Sequence, residues 1–581
     1  MRRILVLGSL LLFVCLSLAP GCSNSNSATD QVTLPDDAGS TDDPVWFRDD
    51  TAAVGLDFIH ESGPIGRYFL PQIMGSGAAL LDYDNDGRFD LYLVQNGGPD
   101  STARNKLFHQ RADGRFEDVS AGSGLDISGY GMGVAVGDID NDGFVDVYVS
   151  QFGGGRLFRN RGNGTFEEVT QSAGVELLGW GTSAAFLDYD RDGWLDLIVV
   201  NYVDYDTTVP CGLANGKRDY CHPSTFPGVA ARLFHNRGRD AGGHWLGFED
   251  VTQKAGLLKA GPGLGVTCAD FNGDGWPDIL VANDAVVNYL WINRHDGTFV
   301  DEALKRGVAY NSMGQVQANM GITLGDMFAT GRFDVFVTHL AEETHALWQQ
   351  TAPGAFEDRT IDAGLAAPRW HGTGFGTILA DFDLDGALDL AIVNGRVNRP
   401  RSPLPPLAKL DPYWAPYMER NQLFRNDGKS KFRDVSLVNK PFCGTLGVSR
   451  GLVWGDFDGD GRVDLVVTTV AGPARFYRNV APRNGHWLIV RALDPALHRD
   501  AYGAVITVQA GGRRWVGMIN PGQSYLCSGD PRAHFGLGSV TSLDLVHVVW
   551  PDGLTEEFAG GGVDRVVTLQ RGKGLKVARR E

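Results

Sequence analysis

The chain has 581 residues, of which 77 are glycine, and its formal net charge is −18. This length exceeds that of one ordinary domain, so we expect several domains or a repeat array. The acidic balance argues against nucleic acid as a partner, because a phosphate-binding surface should be basic.

The N-terminus has the pattern of a secretory signal. It reads MRRILVLGSLLLFVCLSLAPGCSNSNS, with a basic start, an apolar run from Ile4 to Ala19, and then Gly21-Cys22. It resembles a bacterial lipoprotein signal, in which Cys22 is lipidated and becomes the mature N-terminus. The alternative is a conventional cleaved signal that releases a free protein. We therefore predict a signal peptide at 1–21, a flexible tether at 22–44, and export. The protein is then either lipid-anchored to the bacterial cell envelope, at the outer membrane, or secreted.

The stretch Leu81–Val94, LDYDNDGRFDLYLV, concentrates carboxylates in one short turn. Its acids stand at positions 1, 3, 5 and 9, where they repel one another unless a cation lies between them. Calcium takes six to eight oxygen ligands in irregular geometry and suits such a loop. Gly87 at position 6 fits a sharp turn with positive φ, and Arg88 at position 7 offers only its backbone carbonyl.

An EF-hand loop begins in the same way, but it needs a Glu at position 12 and a helix on each side. Position 12 is Leu93, and the flanks GAALL and LYLV are short and apolar. Such flanks indicate strand–loop–strand rather than helix–loop–helix.

The loop recurs along the chain, which predicts about six calcium ions. A worn copy, Asp326–Asp334, keeps the first and last Asp but has lost the acids at positions 3 and 5. We do not expect that copy to bind calcium well. The predicted ligands of the six intact loops, with the position 7 residue acting through its carbonyl, are Asp82, Asp84, Asp86, Arg88, Asp90; Asp138, Asp140, Asp142, Phe144, Asp146; Asp188, Asp190, Asp192, Trp194, Asp196; Asp270, Asn272, Asp274, Trp276, Asp278; Asp381, Asp383, Asp385, Ala387, Asp389; and Asp456, Asp458, Asp460, Arg462, Asp464.

A second signature follows each loop, as in LFRNRGNGTFEEVTQSAGV at 157–175. The seventh copy, FYRNV at 476–480, stops short, and its missing half stands at Phe47–Phe58, FRDDTAAVGLDF. The N-terminal strand is therefore predicted to complete the last blade of a closed ring, which hides the edge strands. Where no insertion intervenes, successive loops begin 50 to 56 residues apart, which leaves room for about four short strands in each repeat. An all-β, seven-bladed β-propeller is expected at 45–480, with a linear solenoid as the alternative.

These loops and their F-x-D-V-T-x-x-A-G-L partners resemble FG-GAP/VCBS repeats, the calcium-loop blades also found in integrin alpha heads. After the ring, AYGAVITV (501–508), HFGLG (534–538) and WPDG (550–553) resemble the ASPIC/UnbV domain. That pairing is the architecture of the cartilage acidic protein family and its bacterial relatives. The alternating apolar residues at 481–581 predict a small β-sandwich or barrel.

Cysteine usage agrees with export. Cys211 and Cys221 bracket a Gly-rich insertion and are predicted to form a disulfide, with a metal site as the alternative. Cys268, Cys443 and Cys527 are interpreted as buried small residues.

No catalytic set is evident, so the leading hypothesis is a calcium-stabilised extracytoplasmic propeller that binds a protein or glycan. Weak catalytic candidates are His60, Glu61 and His371, which by repeat position are expected at one end of the central channel. Two long insertions interrupt the repeats, the Cys211–Cys221 loop and a Pro-rich stretch at 398–416. Exposed aromatic residues in them, such as Tyr220 and Trp414, are predicted ligand contacts. The alternative function is a cell-envelope enzyme, acting on carbohydrate, that uses the channel.

Overall fold

The computed structural model describes residues 43–212, 216–400 and 411–577. The predicted signal peptide, Cys22 and the tether as far as Asp42 lie outside the described residues. Lipidation and export therefore stay predictions.

The described chain forms seven sheets that each contain four antiparallel strands, here called blades 1 to 7 in chain order; the sheet of blade 1 gains a fifth, parallel strand from the C-terminal region. From inner to outer strand, blade 1 is Ala78–Leu81, Asp90–Leu93, Lys106–Gln110 and Phe116–Asp118; blade 2 is Tyr130–Gly137, Asp146–Phe152, Arg156–Asn160 and Phe166–Glu168; blade 3 is Gly181–Leu187, Asp196–Asn201, Arg232–Asn236 and Phe248–Asp250; blade 4 is Gly263–Ala269, Asp278–Asn283, Tyr289–Asn293 and Phe299–Asp301. Blade 5 is Ile322–Gly325, Asp334–Val337, Ala346–Ala352 and Ala355–Asp358; blade 6 is Gly374–Ala380, Asp389–Asn394, Gln422–Asn426 and Phe432–Asp434; blade 7 is Ser449–Gly455, Asp464–Thr469, Arg475–Asn479 and Phe47–Asp49.

The blades are arranged in a closed ring. Each inner strand contacts the inner strand of the next blade, and the inner strand of blade 7 contacts that of blade 1. The N-terminal strand Phe47–Asp49 pairs with Arg475–Asn479 as the outer strand of blade 7. The predictions of an all-β propeller fold and of closure by the N-terminal strand are therefore confirmed.

Burial explains the strand order within a blade. The inner and second strands are almost wholly buried between neighbouring blades and consist mainly of small and branched apolar residues. Most outer strands begin with a buried Phe followed by polar residues, as in Phe116–Asp118. A short, charged outer strand protects the blade edge from pairing with another chain.

The C-terminal region forms two facing sheets that share one core. One sheet contains His486–Asp494, Arg499–Asp500, Ala533–Gly538 and Arg565–Gln570, and the other contains Val505–Ala510, Arg513–Met518, Ser542–Val549, Thr555–Gly562 and Leu575–Lys576. Their apolar faces pack together and against blades 2 and 3 in one cluster. This domain lies over the Asp loops: Arg499 donates to the carbonyl of Gly193 at 3.1 Å, and His534 Nε2 lies 2.7 Å from that of Gly461.

A segment of this domain, residues 519–532, enters the propeller channel; we call it the finger. Its strand Cys527–Ser528 pairs in parallel with the inner strand of blade 1. Leu526 accepts a hydrogen bond from the Val134 amide of blade 2, and the Thr377 amide of blade 6 donates to the Ser524 hydroxyl. At the far end, the Tyr525 hydroxyl donates to the carbonyl of Met74 at 3.2 Å. The finger therefore spans the channel and fills it.

A second element, the cap, closes the opposite end, where the inner strands begin. It comprises helix Pro71–Met74 and the described parts of the two insertions, with the 3₁₀ turns Pro223–Thr225 and Ala415–Tyr417. Their aromatic residues form one cluster with the tip of the finger. The remaining short elements are helices Thr252–Ala255, Ala303–Arg306 and Lys440–Cys443 and the strand pairs Val229–Ala230 with Ala260–Gly261 and Glu419–Arg420 with Leu446–Gly447.

Candidate metal loops in a closed propeller

Each Asp loop connects the inner strand of its blade to the second strand. The carboxylate at position 1 accepts a hydrogen bond from the amide of the Gly at position 6 in all seven blades, as between Asp138 and Gly143 at 2.8 Å. The carboxylate at position 9 accepts from an amide of the third strand, again in all seven, as between Asp146 and Asn160 at 2.7 Å. These two acids therefore fold the loop.

The turn requires left-handed backbone at two positions. The Gly at position 6 has positive φ in every loop, with 85° at Gly87, as predicted. Position 4 also has positive φ in every loop, and it carries a non-glycine residue in five of them, such as Asn85 and Leu384. Because the residue at position 4 differs from loop to loop, the repeat pattern does not predict its positive φ.

The acids at positions 3 and 5 are not needed to form the turn. The worn loop has Phe328 and Thr330 at these positions, yet Asp326 still accepts from the Gly331 amide at 2.7 Å. The turn therefore forms without these acids. Carboxylates that the fold does not need, set beside others in one loop, indicate a cation site. Loop carboxylates approach closely enough to share one ion, as for Asp82, Asp84 and Asp90 or Asp188, Asp190 and Asp192.

Burial makes this charge costly. Burial, together with the negative charge of neighbouring loop carboxylates, raises the pKa of Asp90 and of Asp278 to about 8. It also raises the pKa of Asp138 and of Asp188 to about 7. Such shifts mean that the loop holds more negative charge than its surroundings stabilise, and a bound cation would relieve this.

Several loop oxygens are buried without a hydrogen-bond donor, which tests whether the residues fit a cation. They are Asp140 Oδ1, Asp188 Oδ1, Asp190 Oδ1 and Asp383 Oδ1. Buried polar atoms normally have a partner. Since these oxygens belong to positions 1 and 3 of intact loops, the residues fit a hard cation with oxygen ligands.

In the worn loop, arginine side chains supply positive charge. Arg514 of the C-terminal domain donates to the carbonyl of Thr330 at 3.1 Å. Its positive charge and that of Arg332 oppose the rise that burial produces in the pKa of Asp326. This arginine was not identified from the sequence, because it lies in a different domain from the loop that it contacts.

The catalytic candidates do not come together. His60 is buried, burial lowers its pKa to about 3, and its Nδ1 accepts from the Ala471 amide at 3.2 Å. Glu61 accepts from the Gly63 amide within its own turn, and His371 is exposed. Within the described ranges, no hydrogen bond or ion pair joins His371 to either residue. The expectation that these residues line one end of the channel fails for His60, which is buried, and the cap and the finger occupy that end.

The prediction that Tyr220 and Trp414 are exposed ligand contacts is also wrong. They are 6% and 3% exposed and belong to the core of the cap. The two insertions bind each other: the Tyr417 hydroxyl donates to Asp219 at 2.6 Å, and the hydroxyls of Tyr220 and Tyr413 lie 3.1 Å apart. The disulfide between Cys211 and Cys221 is formed and holds one of these insertions.

Comparisons with known proteins agree with this architecture. The FG-GAP-like repeat model matches residues 82–149, 138–199, 270–337 and 409–467, and the ASPIC and UnbV model matches residues 494–576. The chain contains FG-GAP-like repeats and an ASPIC/UnbV domain.

Two relatives carry the same name. Human cartilage acidic protein 1 is 29% identical over 340 residues, which cover 56% of this chain and 46% of that protein. The mouse protein is 27% identical over 521 residues, which cover 83% of this chain and 71% of that protein. The chain thus spans about half the length of the human relative.

Solved structures give a more distant likeness. An Agrocybe aegerita lectin that recognises non-reducing terminal N-acetylglucosamine is 13% identical, with a TM-score of 0.31, and the match covers 77% of this chain and 90% of the lectin. YCF48 bound to D1 peptide is 8% identical, with a TM-score of 0.38, and the match covers 70% and 92%. Scores below 0.5 support no inference about ligands. Among the described residues, no helix is long and apolar enough to cross a membrane.

Proposed function

We propose that this protein is an exported, calcium-stabilised binding propeller that recognises a protein or a glycan through its outer surface. The observation that supports this proposal is the closed channel. The finger fills it from the side of the Asp loops, and the cap covers its other end. A macromolecule must therefore be recognised on the outside of the ring.

Calcium is the cation that the loop chemistry favours. The six intact loops offer carboxylate, amide and carbonyl oxygens, which a hard ion prefers, and several of these oxygens are buried without a partner. In this proposal the ions neutralise the loop acids and hold each inner strand to its second strand. They add stability and do not take part in a reaction.

The binding surface is proposed on the exposed side of the cap. Lys217 and Arg218 of the disulfide-bonded insertion are exposed there. Arg218 donates to the carbonyl of Arg67 at 3.2 Å and lies over the ring of Tyr68 at 5.8 Å. The disulfide supports export, since such bonds persist in oxidising compartments.

The first test is thermal and chemical unfolding of the protein from Ser23 onward, in 1 mM calcium and in chelator. For a Kd of about 0.1 mM, typical of extracellular calcium modules, each site contributes roughly 1.4 kcal/mol, and six contribute roughly 8 kcal/mol. A large calcium-dependent rise in stability is expected. Equal stability in both buffers would remove calcium from the proposal.

The second test is binding to an array of cell-surface glycans and extracellular proteins. We expect Arg218→Glu to lose the signal of the unmodified protein. Lys254→Glu, an exposed charge reversal on helix Thr252–Ala255, should retain it. Unchanged binding by Arg218→Glu would place the surface elsewhere. Chemical turnover of an arrayed glycan would favour the alternative, a carbohydrate-active enzyme of the cell envelope.

A further inference from the structure

A cleft separates the C-terminal domain from the loops of blades 5 and 6. Its volume is about 760 Å³, and its walls include residues 326–329 and 385–388 of those loops and residues 513–516 of the C-terminal domain. Cavities of about 300–1,000 Å³ at the junction of two domains are typical sites for small molecules. The cleft lies on the side of the Asp loops, at the opposite end of the propeller from the surface proposed on the cap.

The C-terminal wall of the cleft carries hydrogen-bond donors that the protein does not use. The guanidinium of Arg513 stacks on the ring of Trp515, 4.6 Å from its centroid, and a Cβ on Gly386 would lie 2.9 Å from Nη2. Arg513 therefore lies against the blade 6 loop with its planar fork held in place. Among the residues that the structure describes, the side chains of Arg513, Gln509 and Trp515 make no hydrogen bond or ion pair. Their N–H groups are therefore available to a ligand.

A carboxylate of the same wall offers lone pairs. Asp544 is exposed and accepts from the Gly511 amide at 2.8 Å. This bond uses one of roughly four lone pairs of the carboxylate, so the others can accept from a ligand. The next residue, Leu545, pairs with Gln509, so an acceptor and a donor lie close together on neighbouring strands.

The charges that line the cleft balance one another. Two arginines and four aspartates line it, namely Arg513, Arg514, Asp326, Asp381, Asp385 and Asp544. Asp381 and Asp385 belong to the blade 6 loop, where the proposed calcium ion offsets their charge. The other two aspartates balance the two arginines, so the cleft favours neither an anion nor a cation.

We propose that this cleft binds a neutral oligosaccharide. A sugar hydroxyl both donates and accepts, so it can take a hydrogen bond from Arg513 or Gln509 and give one to Asp544. The half-buried Trp515 offers an apolar surface to the C–H groups of a sugar ring. Polar residues and glycines make up most of the lining, which suits a ligand covered with hydroxyls better than a peptide with apolar side chains.

The inference rests on the proposed function, because it takes the glycan from the two ligand classes named there and includes the loop ion in the charge of the cleft. It adds a second binding site, on the other end of the propeller from Arg218.

The test is isothermal titration calorimetry of the protein from Ser23 onward, in millimolar calcium, with mannotriose, maltotriose and chitotriose as neutral probes. At least one should bind, and Arg513→Ala should weaken its binding by about ten- to a hundredfold, as expected for a lost hydrogen bond from a charged group. Gln509→Ala should weaken it by about two- to tenfold, as for a neutral hydrogen bond. Trigalacturonate should bind more weakly than the best neutral probe, because the cleft has no unbalanced positive charge for its carboxylates.

Arg565→Ala is the matched control, and it should leave binding unchanged. Arg565 is an exposed arginine of the same domain and donates to the carbonyl of Gly562 at 2.9 Å. Three results would overturn the proposal: no binding of any neutral probe, equal weakening by Arg513→Ala and Arg565→Ala, or tighter binding of trigalacturonate than of every neutral probe.

The failure of this inference and the failure of the proposed function give different results. Saccharide binding that is lost in Arg218→Glu but kept in Arg513→Ala would place the glycan on the cap and reject the cleft alone. Capture of a protein through Arg218 without saccharide binding would also reject the cleft and leave the proposed function standing. Saccharide binding that needs Arg513 and not Arg218 would support the cleft, whatever becomes of the surface on the cap.

Discussion

Ser524 and Ile322 exchange two backbone hydrogen bonds, at 2.6 and 3.0 Å, although about two hundred residues separate them. Ser524 belongs to the finger, and Ile322 begins the inner strand of blade 5. The C-terminal domain thus adds backbone to the centre of the propeller, where the inner strands of the blades meet. The two parts therefore share buried hydrogen bonds and apolar contacts, and we expect them to unfold as one cooperative unit.

The first prediction concerns the finger. Leu526 is 1% exposed and packs in the cluster that joins the finger to the cap. Leu526→Ala should lower the free energy of unfolding by about 2–5 kcal/mol, since it removes buried methyl groups and leaves a cavity. Leu575→Ala, in the same domain but 75% exposed, should change it by less than about 0.5 kcal/mol. Denaturant unfolding measures both. A small, equal loss in both variants would mean that the finger does not anchor the domain.

The second prediction is an effect at one loop that depends on calcium. Asp140 is fully buried, its Oδ1 has no partner, and burial together with Asp142 raises its pKa. Asp140→Asn relieves the repulsion from Asp142 but weakens the ion pair with Arg159 at 2.6 Å, so it should change stability little in chelator. In 1 mM calcium it should destabilise by about 1.4 kcal/mol, the contribution of one site with a Kd near 0.1 mM.

Asp326→Asn in the worn loop is the control for this experiment. Asp326 accepts hydrogen bonds from the amides of Thr330 and Gly331. The variant replaces one carboxylate oxygen by an NH₂ group, so one of these two backbone amides loses its acceptor. The free energy of unfolding should fall by about 1 kcal/mol in either buffer. If both variants responded to calcium in the same way, the acids at position 3 would have no part in binding it.

The loops show what the sequence could predict. The acids at positions 1 and 9, the glycine at position 6 and the incomplete seventh repeat each recur with a fixed spacing, and the structure places them as expected. These features could be predicted because the same residue types recur at the same positions from blade to blade.

Features that occur once could not be predicted in the same way. The finger, INPGQSYLCSGDPR, has no hydrophobic period, and it contacts the blades through both backbone and side-chain hydrogen bonds. Tyr220 and Trp414 were expected on the surface because they lie in insertions, yet their rings have each other's insertion to pack against. His235 lies opposite the blade 3 loop, 3.2 Å from Asp196, and an alignment of the third strands predicts this place because the Asn that follows it recurs in other blades.

The third prediction concerns pH. Glu419 lies under the cap, accepts from the Thr373 amide at 2.7 Å and pairs with Arg396 at 3.0 Å. Burial raises its pKa from 4.5 to about 7, although Arg396 opposes the shift. A carboxyl whose pKa is raised on folding stabilises the folded state at low pH. This contribution is lost as the pH rises from the pKa of the carboxyl in the unfolded state to its pKa in the folded state. The loss between pH 4.5 and pH 7 approaches about 3 kcal/mol.

Glu419→Gln keeps an acceptor for Thr373 and removes the titration. In saturating calcium, the difference in unfolding free energy between this variant and the unmodified protein should therefore shift in favour of the variant by up to about 3 kcal/mol from pH 4.5 to pH 7.5. If the free energy of unfolding changed with pH in the same way in both proteins, Glu419 would have the same pKa in the folded and unfolded states, and the prediction would be wrong.

The fourth prediction concerns the disulfide of the cap. Cys211 and Cys221 are ten residues apart, and closing a loop of that size stabilises the folded state by about 2.7 kcal/mol in the chain-entropy model. Replacing both cysteines by serine should therefore lower the free energy of unfolding by about 2–3 kcal/mol. A reductant should lower the stability of the unmodified protein by a similar amount and leave the variant unchanged, because Cys268, Cys443 and Cys527 are buried and unpaired. A reductant effect of equal size in the variant would place the sensitive group outside the cap.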